Sequence, residues 1–406
     1  MSPASTRRLR ARLRPLASVL FFAAAGAATA FAVPTTPNPT LDVDDVATSF
    51  EDYNLISFGN ANFTQWGDTQ GSLAINGNLT LSGSGSIGNN PIVSSNNAWN
   101  SNPSLYVTGQ LALGGGTTTS LNSGYAALTG LTASNWTWNS SNKSITNNSN
   151  GGVLSSSNAG TTQAANTPYT IPSSPGHPKV AGNAGPAGWN WTTLQQNLVN
   201  YSADLANAGT ADAAAGTLGT ISVGNGQQLQ FIAPIGQTSG VVVFDLTVGS
   251  QAGAGVLSGG NNYGGQNFSQ VKIDVPAGLT YVINVINAAG GSIFGSNVNF
   301  NADSNANDNQ LLWNITGSGT VSIDNGGYFY GSILAPNTTI DTTTVIDGQV
   351  AANGFSDTGV ELHADEFSPA AVATPEPATY ALWAAGICAA AIAFRRFQKS
   401  RPQPTT

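Results

Sequence analysis

Ser72–Leu81 reads SLAINGNLTL, and every second residue of it is apolar or glycine: Leu73, Ile75, Gly77, Leu79 and Leu81. The residues between them, Ala74, Asn76, Asn78 and Thr80, face the other way in an extended chain. Strict alternation marks a half-buried strand, and a central glycine lets it break into two strands bent at Gly77. Thirty-two residues on, Leu105–Leu113 reads LYVTGQLAL and repeats L-x-[IV]-x-G-x-L-x-L position for position, with Leu105, Val107, Gly109, Leu111 and Leu113. Self-similarity at this spacing predicts a stacked architecture.

The same alternation returns in the second half of the chain. Val241–Val248 (VVVFDLTV) reads as a buried strand from its β-branched residues, and Val271, Ile273 and Val275 alternate. So do Leu279, Tyr281, Ile283 and Val285, then Leu311, Trp313 and Ile315, then Val321 and Ile323. Gly326–Phe367 consists of short apolar runs separated by polar turns every eight to twelve residues. One segment has a different period. In Trp191–Ala206, residues Leu194, Leu198, Tyr201 and Leu205 form an apolar stripe, with Gln195, Ser202 and Asp204 away from it. This predicts an amphipathic helix over 191–206, closed by Asn207 and Gly209 and lying against a sheet face. Residues 137–186 are poor in apolar side chains and read as an irregular excursion. The Trp136 and Trp138 pair at its start suits either a surface hairpin or packing at the end of the stack.

Charge is distributed unevenly. Of the 12 Lys and Arg, only Lys143, Lys179 and Lys272 lie between Val33 and Thr374, against nineteen acidic residues, a net charge of −16 for that span. Such a body cannot bind nucleic acid by neutralising phosphates, and it repels anionic surfaces. Asn, Ser, Thr and Gly dominate, a composition suited to an extracellular β-rich protein. The single cysteine, Cys388, lies outside this body, so the body has neither disulfides nor thiolate chemistry.

Both ends carry targeting patterns. Arg7, Arg8, Arg10, Arg12 and Arg14 precede an apolar run from Leu16 to Ala30 and a small-x-small site at Ala30-Phe31-Ala32, a secretory signal peptide over 1–32. Residues 33–49 read as a linker rich in Pro and Asp. At the other end, within 369–406, Pro375-Glu376-Pro377 is followed by an uncharged run, 378–394, and then Arg395, Arg396, Lys399 and Arg401. Seventeen helical residues span about 26 Å, enough for a thin bilayer, and the basic cluster would stay cytoplasmic. In the order of its three parts the tail resembles a PEP-CTERM sorting signal. That resemblance implies an exosortase as processing partner, with Pro375, Glu376, Pro377, Arg395 and Arg396 as the signal, and a body delivered to the cell surface or matrix.

The body, 50–368, has a resemblance of its own. SFGNANFTQWGDTQGSLAINGNLTL, NYSADLA, VPAGLTYVINV, LLWNITGSGTVSI, GSILAPNTTI and IDGQVAANGFSDTGVELHADEF occur in the order expected of the choice-of-anchor A domain of bacterial surface proteins. It implies a β-helix-like domain with one flanking helix, similar in plan to ice-binding and adhesin solenoids, and it carries over no catalytic residue. The chain is thus expected to be mainly β. A right-handed β-solenoid would carry one amphipathic helix, between an N-terminal signal peptide and a C-terminal transmembrane helix.

Candidate chemistry is sparse. Glu361, His363 and Asp365 share a face if extended and could hold a divalent metal, or they are the polar outer face of a last strand. Asp303–Asn309 is rich in oxygen ligands but lacks the Gly and Glu of an EF-hand loop, so an Asx-rich turn is the plainer reading. Asp245 and Asp274 lie in strands and could pair for hydrolysis. There is no G-x-S-x-G, P-loop or Cys/His pair. Trp66, Trp99, Trp136 and Trp138 could stack on sugar rings, or they pack under loops. These residues predict no enzyme and no cofactor. They predict an exported adhesive or matrix component, possible partner of extracellular polysaccharide. The alternatives are a glycan-active β-helix enzyme and an ice-binding protein, which would need a flat face of regular Thr where Thr338, Thr339, Thr342, Thr343 and Thr344 are irregular.

Overall fold

In the computed structural model, residues 53–88, 103–122, 126–128, 130, 135–139, 144–156, 189–251, 253–288, 290–300, 307–359 and 361–370 are described. The signal peptide, the linker, Trp99, residues 303–306 and the sorting tail from 371 on, with its 378–394 span, lie outside them. Among the described residues no helix is long and apolar enough to cross a membrane.

The N-terminal half supplies β1 Tyr53–Ser57, β2 Ala61–Thr64, β3 Asp68–Thr69, β4 Ser72–Ile75, β5 Leu79–Ser82, β6 Gly85–Ile87, β7 Leu105–Val107, β8 Leu111–Leu113, β9 Thr118–Leu121, β10 Ala126–Leu128, β11 Trp136–Asn139, β12 Ser144–Asn147 and β13 Val153–Ser156. Helix α1, Trp191–Ala215, follows. The C-terminal half supplies β14 Thr220–Gly224, β15 Gln228–Ile232, β16 Gly240–Gly249, β17 Val256–Ser258, β18 Asn262–Tyr263, β19 Gln266–Asn267, β20 Gln270–Ile273, β21 Leu279–Ile286, β22 Asn299–Phe300, β23 Leu311–Ile315, β24 Gly319–Ile323, β25 Tyr328–Tyr330, β26 Ser332–Thr342, β27 Val345–Asp347, β28 Val350–Thr358 and β29 Leu362–His363.

These strands stack as three-sided coils with parallel neighbours. β1–β2–β3, β4–β5–β6 and β7–β8–β9 are successive turns of chain. The predicted repeat is their register: Leu73 lies opposite Leu105, Ile75 opposite Val107, Leu79 opposite Leu111 and Leu81 opposite Leu113. The coil itself is shorter than that repeat, because Ala61 pairs with Leu79 only eighteen residues away. The longer spacing is one coil plus the connection through 88–104. The bend at Gly77 is also as the alternation predicts. A Cβ on Gly77 would sit 2.6 Å from the Gly59 carbonyl oxygen, and one on Gly109 would sit 2.4 Å from that of Gly77. Beside this corner, Asn60 Oδ1 accepts from the Asn78 amide and Asn78 Oδ1 from the Gln110 amide, both at 2.8 Å, holding one coil on the next.

The spatial order of the first face is β10-β7-β4-β1-β28-β26-β23-β21-β16, so the last long strand of the chain lies between its first strand and β26. The chain therefore builds the stack outward from β1, returns through α1 to the opposite end, and closes from β16 toward β1. Between β7 and β16 there are seven strand spacings, roughly 33 Å at 4.7–4.9 Å each. A 25-residue helix spans about 37 Å and covers that distance. Its N-terminal end is set by Trp189 and Trp191, which pack with Tyr53, Phe58 and Tyr106.

The helix is longer than its apolar stripe predicts. Asn190 caps it by accepting from the Thr193 amide, and Gly216 at φ 72° ends it. Gly209 is not a terminator. A Cβ there would lie 2.2 Å from Asp245 Oδ1, so glycine is what lets the helix reach the sheet. Ser202, predicted to face away, is buried and donates to Asn314 Oδ1 at 2.6 Å, and Gln195 donates to the Pro336 carbonyl. A second correction concerns 137–186. Its described part is ordered: β11, β12 and β13 form an antiparallel meander, and β13 joins β9 in parallel.

The interior holds an aromatic cluster centred on Trp313, which is fully buried among Phe231, Phe294, Phe300 and Phe329 and donates its indole N–H to the Tyr330 carbonyl at 2.8 Å. Where the two halves meet, Gln349 is fully buried; its Nε2 donates to the Tyr53 carbonyl and its Oε1 accepts from the Phe367 amide, each at 2.9 Å.

Two stability predictions follow from these contacts. Gly109→Ala drives a methyl into backbone that cannot give way and is expected to cost about 1–3 kcal/mol in denaturant unfolding. Gln349→Leu strands a buried carbonyl and a buried amide, and is expected to cost about 1–3 kcal/mol for each. Unchanged unfolding midpoints would refute the respective contact.

Candidate binding face

The first face of the stack is covered by α1, and its strands are buried on both sides: Leu311–Ile315 and Leu279–Val285 present no exposed residue. The second face is open. It runs β8-β5-β2-β28-β26-β24, with β26 and β28 long enough to bend from the first face into it. Alternation along these strands sends one set of side chains into the core and the other to solvent.

Pairing register aligns the outward residues into rows. One row is Ala112, Thr80, Asn62, Ser356, Asp341 and Ser322. Two residues along each strand, Ser82 is opposite Thr64 and Thr64 opposite Thr358. Neighbours within a row are about 4.8 Å apart, and rows are about 6.7 Å apart along the strand. The inward rows between them, such as Leu111, Leu79, Ala61, Phe355, Ile340 and Val321, are buried and hold the backbone flat from beneath. The runs of Thr noted in the sequence divide on this basis. Thr338, Thr342 and Thr344 are buried, while Thr339 and Thr343 face outward.

Electrostatically the face is nearly neutral, with acid at one edge only. Asp341 lies in the first row, and burial pushes the nearby Asp324 carboxyl up, opposed by a hydrogen bond from Thr343 Oγ1 at 3.3 Å and reinforced by Asp341. Among the described residues the only Lys or Arg is Lys272, which pairs with Asp274 at 3.1 Å.

The structure disperses most of the predicted site residues. Trp66 is 2% exposed and packs on Phe63, and Trp136 is 6% exposed, so neither offers an open ring to a sugar. Both are buried because they close the core at a corner and at the end of the stack. Trp138 lies in β11 opposite Ile145. Asp245 and Asp274 do not face one another: Asp245 accepts from Asn284 Nδ2 at 2.9 Å under α1, and Asp274 is at the surface with Lys272.

On the third face, His363 Nε2 is 3.3 Å from Glu361 Oε2 and its Nδ1 is 3.8 Å from Asp347 Oδ1, with the Tyr328 ring 5.6 Å away. Asp365 lies beyond the end of β29 and faces Asp308 instead. Its carboxyl is pushed up to about 8 by burial first, then by the hydrogen bond and charge of Asp308, with Asp347 and Glu366 adding to it. Among the described residues no group of three or more His, Cys, Asp or Glu is placed to hold a metal ion. Asn307 donates to the Val275 carbonyl at 2.7 Å, tying the described end of the 303–309 loop to the body.

Sequence reasoning missed one polar set. Asn314 Nδ2 donates to Asn284 Oδ1 at 2.8 Å and to the Ser202 carbonyl at 2.9 Å, and Asn284 Nδ2 donates to Asp245 and to the Leu205 carbonyl. This ladder fastens α1 to three strands. Its signal is present in the sequence: Phe244-Asp245-Leu246, Ile283-Asn284-Val285 and Trp313-Asn314-Ile315 each interrupt an apolar run with one amide or acid.

A stack of coils with one covered face and one open face of aligned hydroxyls and amides is a scaffold for surface contact. The chain belongs to the family described as "Putative Ice-binding-like adhesive domain", whose model matches residues 47–364. No curated protein matches it. Among solved structures it is similar to a glycosylated ice-binding protein (LeIBP) from Arctic yeast, at 12% identity over 80% of this chain and 96% of that one, TM-score 0.25. It is also similar to an ice-binding protein from the Antarctic ascomycete Antarctomyces psychrotrophicus, at 10% identity over 79% and 97%, TM-score 0.23.

The Asp308–Asp365 pair makes stability depend on pH. Because the Asp365 carboxyl is raised from 3.8 to about 8, the folded chain keeps a proton that the unfolded chain loses between those values. Stability is therefore greatest below that window and falls as pH rises through it. Burial raises Asp347 and Asp324 in the same direction. Thermal melts across this range should show a falling midpoint, and Asp365→Asn should flatten the slope. Equal slopes in the two proteins would remove the pair from the explanation.

Proposed function

We propose that this chain is an exported cell-surface or matrix protein whose body is a non-catalytic adhesive domain, and that it acts by laying the open face of its solenoid on extracellular polysaccharide. The observation that carries the reading is the aligned, nearly uncharged array of Thr, Ser and Asn on β8-β5-β2-β28-β26-β24. Contacts to such an array are individually weak, and affinity comes from their number on a surface that loses little entropy on binding. Membership of an adhesive-domain family supports it. The separation of Asp245 from Asp274 weighs against glycan hydrolysis by that pair. In this reading the PEP-CTERM-like tail, with Pro375, Glu376, Pro377, Arg395 and Arg396, hands the body to an exosortase.

Ice is a second ligand for the same face. The row Thr358, Thr64 and Ser82 is the observation that favours it, since hydroxyls held side by side on a sheet can order water in register.

The test mixes the purified chain with the extracellular polysaccharide of its own source and follows both co-sedimentation and new reducing ends. Retention without cleavage is expected. Ser356→Tyr, which raises a bulky ring from the centre of the face, should weaken retention about tenfold, or ~1.4 kcal/mol, with an unchanged melting temperature. Release of sugar ends would overturn the non-catalytic reading. Inhibition of ice recrystallisation abolished by Ser356→Tyr, without polysaccharide retention, would move the assignment to ice.

A further inference from the structure

Beside β8, the end strand of the open face, the β11–β12 hairpin forms a pocket of about 350 Å³. Its polar lining includes Gln110, Asn147, Asn148 and Ser149, and the nearly buried Leu111 and Trp136 give it a small apolar patch. Trp136 and Asn147 are register partners across the hairpin, so their side chains leave the sheet on the same side. The turn is rigid: Asn147 Oδ1 accepts from both the amide and the hydroxyl of Ser149, at 3.0 and 2.7 Å, and Asn148 Oδ1 accepts from Thr137 Oγ1 at 2.6 Å. Gln110 Nε2 donates to the Gly130 carbonyl. These bonds leave Gln110 Oε1 and Asn147 Nδ2, one acceptor and one donor, without a partner among the described residues.

From this arrangement we infer that the pocket is a subsite for a single neutral sugar unit, placed where the open face ends. The inference rests on the saccharide reading above and adds to it a defined site. A pyranose has one apolar face and a rim of hydroxyls that both donate and accept. The pocket offers a small apolar patch from Leu111 and Trp136 beside amides and a hydroxyl that do the same. Among the described residues its lining contains no charged side chain, so a uronate or sulfated unit would lose hydration without gaining a partner from them. The volume is near the lower end of the ~300–1,000 Å³ of small-molecule sites, which suits one ring with its water and excludes a buried oligomer.

The experiment uses the full chain in mild detergent, titrated with neutral glucose-, galactose- and mannose-based tetrasaccharides by saturation-transfer NMR, alongside polysaccharide co-sedimentation. Ser149→Trp fills the pocket from an exposed turn, and Gln110→Ala removes the acceptor while leaving Leu111 in place. Each is expected to weaken tetrasaccharide binding about tenfold or more, while Ser356→Tyr leaves it unchanged. Wild-type binding that survives both pocket variants overturns the subsite. So does a wild-type chain that retains the polymer but binds none of the tetrasaccharides, and the face reading then stands alone. Tetrasaccharide binding without polymer retention supports the subsite and sinks the face.

Discussion

Everything in this body depends on the closure of one strand between two others. β28 pairs with β1 on one side and β26 on the other, so the backbone groups of the N-terminal and C-terminal halves are satisfied only when the last strand arrives. Until then two parallel edges stay open, and an open edge is a template for pairing with another chain. Contacts across this seam join residues about three hundred positions apart, as in the Gln349–Tyr53 hydrogen bond. Folding should be slow for that reason, since loop closure precedes the contacts that reward it. The buried amide of Gln349 makes the seam specific. It can satisfy Tyr53 and Phe367 together only in one register, whereas an apolar side chain would tolerate a slip.

The helix solves the problem that this topology creates. A chain that builds its stack from the middle outward must get back past its own coils, and α1 does so along the one face that needs a cover. Apolar packing alone would let the helix slide or rotate on a face of uniform strands. The ladder through Asp245, Asn284 and Asn314, with Ser202 as its helical partner, removes that freedom, and Gly209 lets the helix approach the sheet at the far end. Covering the first face also leaves the second as the broad regular surface open to solvent.

The coils were the most legible part of the molecule, because alternation and the Gly corner are local and repeat. Leu73–Leu81 and Leu105–Leu113 state their own register. The order of the coils could not be read the same way. That β28 returns to β1 is a property of distant pairing, and nothing near Val350 announces it. The length of α1 was misjudged for a comparable reason: Gly209 looks like a stop signal in isolation, and only the proximity of Asp245 explains a glycine inside the helix. For the tryptophans the turn-rich sequence left stacking on sugars and packing under loops both open, and burial of Trp66 and Trp136 decides for packing, since at corners and stack ends a large ring is what closes the core.

The binding face was half legible. Which residues alternate outward follows from the strand pattern, but which of them stand side by side follows from pairing, and that pairing mixes the two halves of the chain. Thr64 comes from the second strand and Thr358 from the last long one, yet they are lateral neighbours. A row of hydroxyls assembled this way cannot be found by scanning for a Thr repeat, which explains why the Thr-rich run at 338–344 looked irregular. It also ties function to the seam. Four strands of the face, β5, β2, β28 and β26, lie on both sides of the junction, so any loosening of β28 divides the face at its centre. The rigidity that makes many weak contacts additive is thus the same rigidity that the buried Gln349 and the flanking parallel pairs supply.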